Sequence, residues 1–350
     1  LDGTPISWSL SADTNDLTIA SSETAQSGEV VHIDDESLVD VDITNKGTIW
    51  STENNAIAFD ATTITGTATI TNASGATLRS DSTATDEAAL LFTNTTGTIN
   101  ITNAGTITST TQGILNSGST LASLTNSGTL ETTGTGTSIY LGSLYNAADA
   151  TLTTLTNSGT MQGTGSKGSG IVNLGTITTL TNSGTLQGTG ATLSYGLYST
   201  GTITTLTNSG TIASTNSTGL DNSGSINSLS NTGTIQGTGN SNSFGLYNSG
   251  TITSLINDSA ATITSTNNYG LYNTATIARL YNEGTVSSTN SYGLYNTSRN
   301  TIVDLENTGT ISSSSSDAIV NTGTINDINN LGTISGASEK DDIYDINNAG

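Results

Sequence analysis

Cysteine is absent from this 350-residue chain, and proline, histidine and methionine each occur once. Without cysteine there is no disulfide framework and no thiolate cage for a structural zinc, while the cellular compartment stays open. The lone histidine, His32, has no recurring partner from which to build a Ser-His-Asp triad or an imidazole metal site. Lysine and arginine together number 6 against 28 acids, for a net charge of −22. The few bases are scattered, so the basic footprint of a nucleic-acid partner is missing, as is the patch that would draw the chain to anionic lipid. No apolar run is long enough for a membrane-spanning helix, so direct membrane insertion by this chain is not expected. Aromatic residues make up only 5%, too few for a large compact core. No stretch keeps a helical period, and the dominant Thr, Ser, Asn and Gly are poor helix formers.

What the chain does have is a repeat. Asn-Ser-Gly-Thr followed by Ile or Leu starts at Asn126, Asn182, Asn208 and Asn248, and Asn-Thr-Gly-Thr-Ile starts at Asn231 and Asn307. With Asn as marker, one series runs Asn103, Asn126, Asn157, Asn182, Asn208, Asn231, Asn257, Asn282, Asn307 and Asn330. A second series interleaves with it: Asn94, Asn116, Asn146, Asn173, Ser199, Asn222, Asn248, Asn273, Asn296, Asn321 and Asn348. The full unit is about 23–26 residues, a period typical of stacked repeat architectures. Disorder, the usual fate of a Ser/Thr/Gly/Asn-rich chain, is disfavoured by such regular apolar spacing.

Around each Asn, Thr alternates with Ile or Leu, as in Thr202-Ile203-Thr204 and Leu206-Thr207-Asn208. Residues two apart share a face of a strand, so Leu and Asn point the same way. The expected fold is all-β, a parallel β-helix with inward Ile and Leu stacked along its axis. The Asn of each corner would form a ladder in which every amide donates to the next. Such a ladder satisfies buried amides only while it is continuous, so Ser199 predicts a local weak point. Residues 1–29 read as an atypical N-terminal cap containing Trp8, 30–93 as irregular first coils, and 94–350 as regular coils. The last residues, Asn347-Asn348-Ala349-Gly350, stop one step short of the expected Thr-Ile, so the parent chain is expected to continue.

The Asn-[Ser/Thr]-Gly-Thr-[Ile/Leu] copies, with the Thr-Ile-Thr and Leu-Thr-Asn strands around them, resemble the passenger domains of Gram-negative autotransporters, the type V secreted adhesins and toxins. The resemblance covers nearly the whole chain. It implies a right-handed parallel β-helix, a parent with a signal peptide and a C-terminal membrane barrel, and display at the cell surface. It also implies self-association between cells through polar ladders on the helix face, as in aggregation and biofilm.

Two surface features are candidate binding residues. Tyr198, Tyr247, Tyr272 and Tyr295 each precede a corner Asn or its Ser199 substitute and follow Gly-Leu, so they are expected to point outward as an exposed ladder. Exposed Tyr suits a host glycan or protein; the same column could equally stack on itself and stabilise the sheet. Tyr195, Phe244, Tyr269 and Tyr292 share the parity of Leu and are expected to be buried near a corner. The second feature is a set of T-x-T pairs: Thr176 with Thr178, Thr202 with Thr204, Thr251 with Thr253, and Thr106 with Thr108. All are expected to face outward and to form a ladder. Regular T-x-T ladders resemble those of ice-binding solenoids, but Thr276 with Ala278 and Ser225 with Asn227 break the rule. A polar ladder for homotypic contact tolerates such variation, and the nearly uncharged segment 88–220 would let two copies approach.

Catalysis is not expected. A carbohydrate-active β-helix enzyme needs clustered carboxylates with bases nearby, and the acidic clusters Asp34-Asp35-Glu36 and Asp341-Asp342 are short. No cofactor is implied, and the glycine-aspartate nonapeptide of calcium-binding β-rolls is absent.

Overall fold

The computed structural model describes residues 8–9, 16–21, 24–28, 30–33, 38–134, 141–239, 242–337 and 343–344. Asp34-Asp35-Glu36, Asp341-Asp342, Asn348 and most of the expected N-terminal cap lie outside them. The chain is all-β: three parallel sheets stacked as a β-solenoid of about 12 turns with about 26 residues per turn. The coils group into two compact units, Leu1–Thr179 and Leu180–Gly350.

Each coil contributes one strand to each sheet. In the second unit a typical coil runs Leu246–Asn248 in sheet I, Thr251–Asn257 in sheet II and Thr262–Ser265 in sheet III. In the first unit a coil runs Gln112–Ser117, Thr120–Asn126 and Thr129–Thr132 through the same three sheets. Successive coils pair in parallel and in register: Leu246 on Leu271, Leu255 on Leu280, Ile263 on Val286. Like residues therefore stack on like residues. The core is four columns of aliphatics, two on sheet II and one each on sheets I and III, such as Leu220, Leu246, Leu271 and Leu294 in sheet I, all fully buried. Burying each side chain of this size contributes about 1.5–3 kcal/mol.

The step between laddered Asn residues is 23 to 26 residues in the second unit. In the first unit it lengthens to 31 at Asn72–Asn103 and Asn126–Asn157. The extra residues sit at corners. Asn146-Ala147-Ala148-Asp149-Ala150 is one example, closed by a turn from Ala150 N–H to Ala147 O.

The Asn ladders carry two of the three corners. At the corner after sheet II, Asn231 Nδ2 donates to Asn257 Oδ1 at 2.8 Å and to the carbonyls of Gly233 and Thr262. Asn257 repeats this to Asn282, and Asn282 to Asn307. Within the second unit the links run unbroken from Asn182 through Asn208 to Asn330. In the first unit they run from Asn45 through Asn72, Asn103 and Asn126 to Asn157. This ladder therefore begins among the coils expected to be irregular. Many corner Asn residues also offer their main-chain carbonyl to two N–H groups of the next coil, as Asn208 O does to Thr232 and Gly233. The motif glycine follows from that close stacking. A Cβ on Gly233 would lie 2.1 Å from Gly210 O, and one on Gly250 would lie 2.0 Å from Gly224 O.

The second ladder, after sheet I, runs Asn116–Asn146–Asn173 in the first unit and Asn222–Asn248–Asn273–Asn296–Asn321 in the second. Asn94 is not part of it. It is exposed with φ at +47°, two residues past the register position. That position is held by Phe92, which pairs with Asn116 and stacks on Phe59 at 5.0 Å. The third corner, after sheet III, is held by a Ser column, interrupted at Gly237, that spacing alone did not single out. Ser214, Ser265, Ser288 and Ser313 each donate their hydroxyl to a main-chain carbonyl. The same hydroxyls accept from N–H groups three residues on.

Ser199 stands in register with Asn222, and it has no amide with which to continue the ladder. Asn222 Oδ1 is buried there without a hydrogen-bond partner. A buried acceptor left unsatisfied costs about 1–3 kcal/mol. Ser199→Asn is therefore expected to raise the melting temperature, by the equivalent of about 1 kcal/mol, because the new Nδ2 can donate to Asn222 Oδ1. Thermal unfolding followed by circular dichroism checks this, and an unchanged or lowered midpoint would count against a continuous ladder as the stabilising element.

Candidate functional site

The densest chemistry on the second unit is aromatic and lies on the outer face of sheet I. Each strand there is short, Leu-Tyr-Asn in Leu246–Asn248, Leu271–Asn273 and Leu294–Asn296. A glycine precedes each strand, and an aromatic residue precedes the glycine. The glycine points inward: a Cβ on Gly270 would lie 2.5 Å from Ser287 O of sheet III. Gly270 and Leu271 thus both face the interior, and the alternation slips by one at the bend. Tyr269 and Tyr272 then share the outer face.

This corrects the expectation for the second aromatic set. Phe244, Tyr269 and Tyr292 are half-buried outside the core rather than packed within it, whereas Tyr195 is buried. Two columns result. Tyr247, Tyr272 and Tyr295 stack at 5.2 and 5.4 Å between ring centres. Phe244, Tyr269 and Tyr292 stack beside them at 5.6 and 5.3 Å. The columns touch, with Phe244 4.8 Å from Tyr272 and Tyr269 5.0 Å from Tyr295. The expected exposed ladder is corrected too. Tyr198 is only 8% exposed and packs on Tyr195 at 5.1 Å, and Tyr247, Tyr272 and Tyr295 are half-buried because neighbouring rings shield one another's faces. Burial and the surrounding phenols raise the Tyr269 and Tyr272 hydroxyls above their ordinary pKa.

One coil interrupts the columns. Asp221 occupies the Tyr position, in register between Tyr198 and Tyr247. It is 7% exposed. Burial pushes its carboxyl up to about 7, and the Ser223 hydroxyl, donating at 3.2 Å, pulls it part of the way back.

The expected T-x-T ladder is also corrected, because the pairs do not make one array. Thr106 and Thr108 lie on sheet III, whereas the other three pairs lie on sheet II. Thr176 and Thr178 are half-buried and belong to the first unit. In the second unit Thr202 and Thr204 are half-buried, and Thr251 and Thr253 are exposed. The coil between those two pairs sets Ser225 against Thr202 and Thr251, and its Asn227 falls between Thr204 and Thr253. The next coil sets Ala278 after Thr253. Thr204 and Thr253 are therefore separate outward hydroxyls rather than rungs of one ladder.

The unbroken Thr column is on sheet III. In the second unit it runs Thr185, Thr211, Thr234, Thr262, Thr285, Thr310 and Thr333. Its signal was the Thr that closes each motif copy after the first Asn series. Beside it runs Gln187, Ala213, Gln236, Thr264, Ser287, Ser312 and Ser335, also facing out. Neither column carries a charge. The outward face of sheet II in the same unit does, through Arg279, Asp304, Glu306 and Asp327.

In the first unit the outer face of sheet I holds a cavity of about 400 Å³ lined by His32, Asp60, Asp86, Glu87, Leu91 and Leu115 among others. Folding thus brings the lone histidine near carboxylates that lie far from it in sequence. Comparison with protein-family models, with curated proteins and with solved structures finds no match for the chain. Fold and surface alone define its class, a β-solenoid repeat protein.

Asp221 makes stability depend on pH. Its folded pKa lies above its unfolded value of 3.8, so its contribution is fully present below about pH 4 and is lost as pH rises to about 7. The loss is at most about 4 kcal/mol. Relative to the wild type, Asp221→Asn is expected to show a growing stability advantage from pH 4 to pH 7 that levels off above it. Denaturant melts across that range check this; parallel pH profiles for the two proteins would contradict it.

Proposed function

We propose that this chain is the β-helical passenger of a type V secreted adhesin, displayed on the cell surface, and that it works by self-association, as in bacterial aggregation and biofilm. One observation carries the reading: in a chain of net charge −22, the seven sheet III strands of the second unit present two outward columns with no charge. Columns in register make that face repetitive as well as neutral.

Two such faces meet without like-charge repulsion, which elsewhere on so acidic a chain would oppose contact. Hydroxyls and amides on one copy can donate to and accept from those on the other. Each contact is weak and exposed to water, but a rigid column aligns many at once, and the later contacts form at high effective concentration. Neutrality belongs to a face rather than to the 88–220 segment: acids return to the sequence after Asp221, yet none reaches the outer columns of sheet III through Ser335.

The test is sedimentation of the purified protein over concentration and salt. Dimers that grow with concentration are expected. Gln236→Glu with Ser287→Glu should weaken them at least about tenfold, since like charges set opposite one another are destabilising. Ser228→Glu on sheet II should have little effect. A strict monomer at the highest concentration reached, or equal weakening by the sheet II change, would overturn the assignment of the face.

A further inference from the structure

The aromatic columns of the second unit are interrupted late in the unit, one coil before Tyr344, which pairs with Val320. After the coil of Tyr292 and Tyr295, the next coil has Val320 in register with Tyr295. Counting back from that pair, Asp317 takes the place of Tyr292. Both residues are smaller than the rings they follow, so Tyr292 and Tyr295 are left facing a gap. Tyr292 and Tyr295 meet there at 69°, as two walls of a corner. With Tyr269, Asp317, Val320 and Thr322 they line a cavity of about 390 Å³.

Aromatic faces are negative at their centres, and a carboxylate beside them adds to that potential. The chain shows twice what such a combination takes up. The Arg79 guanidinium lies 5.0 Å from the Trp50 ring centre while its Nε donates to Asp81 at 2.7 Å. The Arg279 guanidinium lies 5.5 Å from the Tyr281 ring centre and 3.6 Å from Glu306. Both places hold an aromatic face, a carboxylate and a cation. At Tyr292, Tyr295 and Asp317 the first two are present, and no described residue supplies the third.

We infer that this corner of Tyr292, Tyr295 and Asp317 is a binding site for an organic ammonium group. The two ring faces would contact the alkyl groups around the nitrogen, and Asp317 would balance the charge. Thr322 is placed at the rim to accept from, or donate to, a hydroxyl carried by the ligand. The negative charge of the whole chain favours the approach of a cation. The site lies on sheet I and is independent of the self-association face on sheet III.

The experiment is calorimetric titration of the intact chain with choline, with its uncharged isostere 3,3-dimethylbutan-1-ol and with a methyl glycoside. Choline is expected to bind at least about tenfold more tightly than the isostere, the size of one good cation–π contact. Asp317→Asn and Tyr295→Leu should each lose about tenfold, Tyr295→Phe should retain binding, and Asp327→Asn, a remote acid, should change nothing. Co-sedimentation with phosphatidylcholine vesicles then separates sources. Binding to vesicles as well as to choline assigns a lipid headgroup, and binding to choline alone assigns a soluble ammonium compound. Equal binding of the isostere overturns the inference, as does binding of the glycoside in place of choline. Choline binding that emerges only in Lys340→Gln also overturns it, because the chain would then fill the corner with its own cation.

Discussion

Everything in this fold depends on burying asparagine amides without stranding them. A corner Asn turned inward leaves the water that would solvate it, and its amide must find partners inside the coil stack. Its Nδ2 donates to main-chain carbonyls and to the Oδ1 of the Asn at the same height in the next coil, while its own Oδ1 accepts from the Asn of the coil before. This condition forces neighbouring coils into register and repeats them about 4.8 Å apart. It explains why the motif is Asn followed by a small residue and Gly, since the coils approach so closely at Gly233 and Gly250 that a Cβ would collide with the carbonyl below. It also explains where the solenoid is weakest. A ladder has ends and breaks, and at Asn116 and Asn222 an Oδ1 is left buried without a partner.

Register has a second consequence, at the surface. Once coils stack residue on residue, each outward position becomes a column, and a preference at one position is copied down a whole face. The uncharged columns of sheet III and the paired aromatic columns of sheet I both arise this way. Substitutions within a column then stand out physically: Asp221 replaces a ring and is buried between rings, while Asp317 and Val320 interrupt the columns and open a corner. The proposed self-association uses the uniformity of one column set, and the proposed ammonium site uses the interruption of another.

Much of the fold was legible in the residues because Asn is a rare choice for a buried position and Gly-Thr follows it so regularly. Leu and Asn two apart correctly placed both inward. The period was legible as well, although the first unit stretches some coils to 31 residues by adding corner loops. Other features were hidden for definable reasons. The Ser column of the third corner is camouflaged in a chain rich in serine. Asn94 has the right residue type but sits two positions past the register, where Phe92 takes its place. Strict alternation misplaced Phe244, Tyr269 and Tyr292, because a glycine bend lets two successive residues face inward. The Thr pairs were grouped by composition, yet sequence spacing alone does not say which of three sheets a pair belongs to. The cavity corner at Asp317 depends on what the neighbouring coil lacks, and that becomes visible only when coils are laid on one another.

Hydrogen exchange of the asparagine side-chain amides, followed by NMR, tests the central dependence most directly. If the ladders hold the coils, the Nδ2 protons of Asn208, Asn231, Asn257 and Asn282 will exchange about as slowly as the main-chain amides of the buried strands beside them. Those of the exposed Asn94 will exchange within the dead time of the experiment. Fast exchange at the ladder positions, with the backbone still protected, would mean that the amides are not bonded coil to coil and that the stack stands on its aliphatic columns alone.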